Sequence, residues 1–137
     1  PASSLLAREG LRNDLANQAG IPRSLDTVWG ASIDDLKQAY QMDGATIVPT
    51  PPKPNSSGKA QVFGVEDHPL VKEVQYHPGG GTHSAQYYKF SHKDGTVVRV
   101  IDPNSGFRSG TITKYDQYYD TAGNRIMYKN EQWSPWE

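Results

Sequence analysis

The spacing of apolar positions changes once along this 137-residue chain. Over residues 4–19, SLLAREGLRNDLANQA, Leu11, Leu15 and Ala19 recur every fourth position. That spacing predicts a helix capped by Ser4, weakened in its middle by Gly10 and ended by Gly20-Ile21-Pro22. A second, short helix is predicted over 32–41, SIDDLKQAYQ. Ile33, Leu36 and Tyr40 make its apolar stripe, and Ser32 with Asp35 forms a variant capping box. From Ala60 onward the period falls to two, and β-branched and aromatic residues take over. Strands are expected at 60–65, 71–76, 86–92, 96–102, 111–119 and 125–129, with Asp94-Gly95 and Ala122-Gly123-Asn124 as turns between paired strands.

Between the two regimes lies PTPPKPNSSGK, residues 49–59. Its prolines remove backbone donors and favour extended chain. The sequence therefore divides into a helical segment, 1–48, a Pro-rich linker or surface loop, 49–59, and a β-rich domain, 60–137. The class is α+β: short N-terminal helices followed by a twisted antiparallel β-sheet. No internal repeat is visible.

The segment 86–102 reads as a hairpin with a three-residue loop around Asp94-Gly95. In that register Phe90 faces Val98 and Tyr88 faces Val100, which makes one apolar face. The other face sets Lys89 across from Arg99 and Tyr87 across from Ile101. Like charges directly opposite one another destabilise a strand pair, so an anion or a carboxylate is expected between the two cations. A two-residue Asp-Gly loop would pair Phe90 with Arg99 and mix polar with apolar on both faces.

Composition narrows the partners. Hydrophobic residues are 35% of the chain and aromatics 10%, with eight Tyr and three Trp, which suggests a small core and a surface made for contact. The net charge is −1. Residues 1–70 hold six Lys/Arg against eight Asp/Glu, and residues 71–137 hold eight against seven. Any phosphate site must then be a local cluster, not a global field. There is no Cys, which excludes disulfides, Cys-ligated zinc and thiol nucleophiles. No run approaches the ~20 apolar residues of a membrane helix, and no cleavable signal peptide is visible. Opening at Pro1 without Met, the chain reads as a piece of something longer.

The candidate chemistry lies in YHPGGGTHSAQYYKF, residues 76–90. His77 and His83 flank Gly79–Gly81 and lead into the strand that carries Lys89. Metal-free RNA cleavage needs a group that takes the 2′-OH proton, a group that protonates the 5′-oxygen, and cations that stabilise the phosphorane. Histidine suits both proton roles, and Lys89 and Arg99 would hold the phosphate. Asp102 would orient a histidine or Arg99, its plainer role being a turn former at a strand end. Tyr87, Thr113 and Lys114 are expected substrate contacts. His77, His83 and Asp102 would also make a two-His, one-carboxylate metal set, but nothing in their spacing is specific for it, and neither metal nor cofactor is assigned. Gly79–Gly81 lacks nucleotide-loop spacing. His68 and His92 are expected to be solvated. Trp29, Trp133 and Trp136 are expected to pack, with the tail QWSPWE folding back on the helical front.

The phrases YHPGGGTH, QYYKF, DGTVVRVIDPNSGF and GTITKY, spread over about residues 60–129, resemble the C-terminal toxin domains of bacterial polymorphic toxins. Such domains end contact-dependent inhibition, Rhs and LXG proteins. The resemblance implies a ribonuclease carried as the C-terminal part of a larger effector and acting in the target-cell cytoplasm. It implies RNA as substrate and a cognate immunity protein as partner, the toxin being a monomer or a heterodimer with that protein. His83, Lys89, Arg99 and Asp102 match the kinds of residue such domains use. A metal-dependent DNase toxin and a non-enzymatic binding module that uses the Tyr/Trp-rich surface are the alternatives.

Overall fold

A computed structural model describes residues 11, 12, 15, 27–50, 60–79, 85–107 and 110–137. Among these residues the helix described along its whole length, α1 (Ile33–Met42), precedes eight strands. They are β1 (Thr46–Pro49), β2 (Gln61–Glu66), β3 (Val71–His77), β4 (Tyr87–His92), β5 (Val97–Ile101), β6 (Asp116–Tyr119), β7 (Arg125–Lys129) and β8 (Gln132–Pro135). All eight lie in one sheet, each strand beside its successor in the chain. The protein is α+β in the loose sense and mostly β.

The helix starts where its sequence says it should. Ser32 Oγ accepts from the Asp35 amide at 3.0 Å, and Asp35 Oδ2 accepts from the Ser32 amide at 3.2 Å, which satisfies two donors that a helix start otherwise leaves open. Leu36, Ala39 and Tyr40 turn inward. Of the first predicted helix, Leu11, Arg12 and Leu15 are described; they are helical, and both leucines are buried. Arg12 donates from Nε and Nη2 to Asp43 Oδ1 just beyond α1.

Alternation along the strands splits the sheet into two faces. The inner face carries Phe63, Val65, Val71, Val74, Tyr88, Phe90, Val98, Val100 and Tyr119, which form one core with Leu11, Leu15, Leu36 and Tyr40. Burial of such side chains stabilises the fold by about 1.5–3 kcal/mol each. Tyr88 pins the turn before α1 to this face: its hydroxyl donates to the Ala31 carbonyl at 2.7 Å and accepts from the Gly30 amide at 3.1 Å. Trp29 meets the Tyr88 ring edge-on.

The β4–β5 hairpin has the register expected of it, with Phe90 opposite Val98, Tyr88 opposite Val100, Lys89 opposite Arg99 and Tyr87 opposite Ile101. Gly95 has φ +95°, which closes the tight loop that an L side chain would strain.

Four features depart from the sequence reading. First, the sheet is not wholly antiparallel, because β5 and β6 run parallel, Arg99 beside Tyr118. Second, the strand expected over 111–119 begins only at Asp116. The Asp116 carboxylate holds residue 113 in a turn, and the Asp116 amide donates to the Thr113 carbonyl. Third, β1 and β8 are short edge strands. Fourth, the tail does not fold back on the helix: β8 pairs with β7, and Trp133 packs with Phe107 and Tyr118. Residues 51–59 of the expected linker lie outside the described residues, and Pro49 closes β1. Among the described residues no helix is long and apolar enough to cross a membrane.

Candidate functional site

The outer face of the sheet is where polar and aromatic side chains gather. Cross-strand register puts Gln75 and His77 of β3, Tyr87 and Lys89 of β4, Arg99 and Ile101 of β5, and Asp116 and Tyr118 of β6 on this side. Lys89 and Arg99 are half-buried. Asp116 of β6, on the side of Arg99 away from Lys89, gives Arg99 a carboxylate partner: its Oδ1 accepts from Arg99 Nη1 at 2.8 Å. Its Oδ2 accepts from the Thr113 amide at 2.8 Å and from Thr113 Oγ1 at 3.2 Å. Burial pushes the Asp116 carboxyl up, but the Thr113 bonds and the Arg99 guanidinium outweigh it, and the group stays below the usual range. Arg99 also sits 5.5 Å from the centroid of the Tyr118 ring. Both recorded hydrogen bonds of Arg99 leave from Nη1. Nε and Nη2 are the donors left to meet an anion among the described residues.

His77 ends β3 and is buried. Its ring stacks on Tyr87 at 5.4 Å with planes 4° apart. Its Nδ1 accepts from the Gly79 amide at 3.0 Å, so in the neutral ring the hydrogen resides on Nε2. An imidazole in that state has no lone pair on Nε2 with which to act as a base. His68 repeats the device one strand-length earlier. In both His-Pro-X stretches the imidazole Nδ1 accepts from the amide two residues on, at 3.1 Å from Leu70 for His68. The Val71 amide adds a second donor to His68 at 3.0 Å. The two histidines thus brace the turns at either end of β3.

Tyr87 joins the cationic strip to a band of rings. Its hydroxyl accepts from Gln75 Nε2 at 3.1 Å, which leaves the phenolic hydrogen to point elsewhere. Burial raises its pKa, against the pull of Arg99, so the phenol is protonated near neutral pH. Tyr87 meets Phe107, Phe107 meets Tyr118 and Trp133, and Trp133 meets Tyr128. Ile101, Tyr118 and Ile126 form the small second core beneath these rings.

The remaining expected site residues fall elsewhere. Asp102 is a turn former: its Oδ1 accepts from the Asn104 amide at 2.9 Å and its carbonyl accepts from Ser105 Oγ at 2.7 Å. Asp116, not Asp102, is the partner of Arg99, because the parallel β6 brings Asp116 alongside β5. Thr113 is tied to Asp116 and reaches the site through it. Lys114 is exposed and lies over the Tyr115 ring. His83 lies outside the described residues. Among the described residues no three His, Asp or Glu side chains gather as a metal site.

His68 and His92 are not solvated, as the sequence suggested, but buried at 5% and 2% exposure. Burial lowers both pKa values first; Asp43 opposes and Lys93 assists at His68, while Asp94 opposes and His68 assists at His92. Sequence reasoning also missed Asp116, Tyr118 and Gln75. The alternation Asp116-Gln117-Tyr118 was the one available signal, and it does not say which strand lies next door. Comparison with protein-family models, with curated proteins and with solved structures returned no match.

Proposed function

We propose that this domain is a toxin ribonuclease that cleaves RNA by metal-independent transesterification. The observation that carries the proposal is the sharing of one half-exposed sheet face by Lys89, Arg99 and Tyr87, away from the face that α1 covers. His83 takes the 2′-OH proton, O2′ attacks phosphorus, and the P–O5′ bond breaks. The Tyr87 phenol delivers its proton to O5′. The products are a 2′,3′-cyclic phosphate and a 5′-hydroxyl end, and solvent returns His83 and Tyr87 to their starting states. Lys89 and the free edge of Arg99 stabilise the negative charge of the phosphorane. Asp116 holds Arg99 in place with the help of Thr113. His77 holds the Gly79 amide, four residues ahead of His83 in the chain. Asp102 serves the turn behind the site.

The domain would travel at the C-terminal end of a larger effector into a target cell. A cognate immunity protein would present acidic residues to Lys89 and Arg99. Incubation of the purified protein with total RNA, with and without EDTA, followed by a denaturing gel, tests the reading. Cleavage that survives chelation, leaves cyclic phosphate ends and is lost in His83→Ala and Lys89→Ala is the expected result. Intact RNA in both lanes, or cleavage abolished by EDTA, would overturn it, the latter in favour of a metal-dependent nuclease.

A further inference from the structure

The band of rings on the outer face ends in a cavity of about 720 Å³ that the proposed chemistry does not use. This size falls within the range of small-molecule sites. Phe107, Tyr128 and Trp133 supply aromatic walls, and Asn104, Glu131 and Gln132 supply polar groups. The cavity is tied to the cationic strip by two short steps. The Arg99 guanidinium lies 5.5 Å from the Tyr118 ring, and that ring lies 4.9 Å from Trp133. Arg99 thus reaches the cavity wall at Trp133 through one intervening ring.

A second, independent feature marks the cavity. β7 and β8 are joined by a two-residue turn, Asn130-Glu131, with φ +54° and +63°. Turns of this shape favour Asn followed by Gly. A glutamate in the left-handed region is strained where a glycine would not be. Glu131, the second of these two residues, lines the cavity.

The geometry points to a nucleobase subsite: an unpaired base of the RNA stacks on Trp133 and Tyr128 while its edge bonds to Glu131, Asn104 and Gln132. Stacking platforms of this kind bind any base by its π-face, and hydrogen-bonding groups at the edge supply preference. The cation strip then takes the phosphate that follows. This inference deepens the ribonuclease reading and rests on it for the identity of the ligand, but nucleotide binding can be measured without cleavage.

The test titrates AMP, CMP, GMP and UMP against the full chain by NMR, following the Trp133 indole N–H, with ribose 5-phosphate as the baseless control. The nucleotides are expected to shift that signal, and ribose 5-phosphate is not. Tyr128 is 42% exposed, so Tyr128→Ala spares the fold and should weaken binding roughly tenfold. Glu131→Gly separates site from scaffold, since it should raise the melting temperature while weakening nucleotide binding. Equal shifts from ribose 5-phosphate, or full nucleotide affinity in both variants, would overturn the subsite. Nucleotide binding at Trp133 by a protein that leaves RNA intact would uphold the subsite and reject the cleavage chemistry. Cleavage without any nucleotide effect at Trp133 would do the reverse.

Discussion

Replacing His77 by Asn or by Ala separates a residue that braces a turn from one that moves a proton. The imidazole makes a bond to the Gly79 amide at 3.0 Å and a parallel stack on Tyr87, and it is 4% exposed. Asparagine places a carbonyl oxygen where it can accept from the amide two residues on, but it cannot titrate and it gives up the stack. Alanine gives up both contacts. The hydrogen bond contributes about 1 kcal/mol net, and a stacked aromatic pair adds about 0.5–1.5 kcal/mol beyond area burial. His77→Ala should therefore cost about 2 kcal/mol and His77→Asn about 1 kcal/mol. In a domain of this size that corresponds to a fall in melting temperature of about 6–10 °C for the first and about 4 °C for the second. The assay is thermal unfolding by circular dichroism, paired with RNA cleavage measured well below both transitions. Loss of a general acid or base removes about 10²–10⁴ in rate. Cleavage by His77→Asn within a few-fold of wild type is the expected outcome. A variant that melts within 5 °C of wild type yet cleaves more than a hundredfold more slowly would refute the argument and give His77 the proton.

Acid should weaken the fold through His68 and His92. Burial lowers both pKa values below the unfolded value of about 6.5, so the unfolded chain binds protons first as the pH falls. Stability is fully present above that value and is lost on descent through the window below it; a melting temperature that is flat from pH 8 to 7 and falls by pH 5, with a shallower fall in His68→Asn, is expected, and a level profile in wild type would contradict it. Tyr88→Phe removes the hydroxyl that bonds Ala31 and Gly30 and should cost about 2 kcal/mol, read as a lower urea midpoint with an unchanged slope; a shift of less than about 0.5 kcal/mol would show that the turn before α1 is held by other contacts.

Local signals are carried by the chain itself and do not depend on the rest of the fold. The capping box at Ser32 and Asp35 involves groups three residues apart. The β4–β5 register follows from period-two alternation and a turn whose Gly95 needs a positive φ. Both depend on neighbours in sequence, and neither changes when the rest of the chain is rearranged. The facing of Lys89 and Arg99 was legible for the same reason, as was the expectation of a counter-charge nearby.

The identity of that counter-charge was not. Asp116 lies on a strand that the chain reaches only after a crossover from Asp102 to Tyr115, and the parallel pairing of β5 with β6 decides that it, and not Asp102, meets Arg99. The same holds for His68 and His92, polar in sequence and buried in the fold, His68 against the Tyr40 ring of α1 and His92 opposite Val71 of β3. The edge strands β1 and β8 escaped notice because an edge has one partner and needs little hydrophobic pattern of its own. Sequence alone determined the helix start, the central hairpin and the residue types at the site. The tertiary structure decided which of those residues became neighbours, because contacts between distant segments depend on how strands are ordered, and strand order leaves no mark on any single stretch of chain.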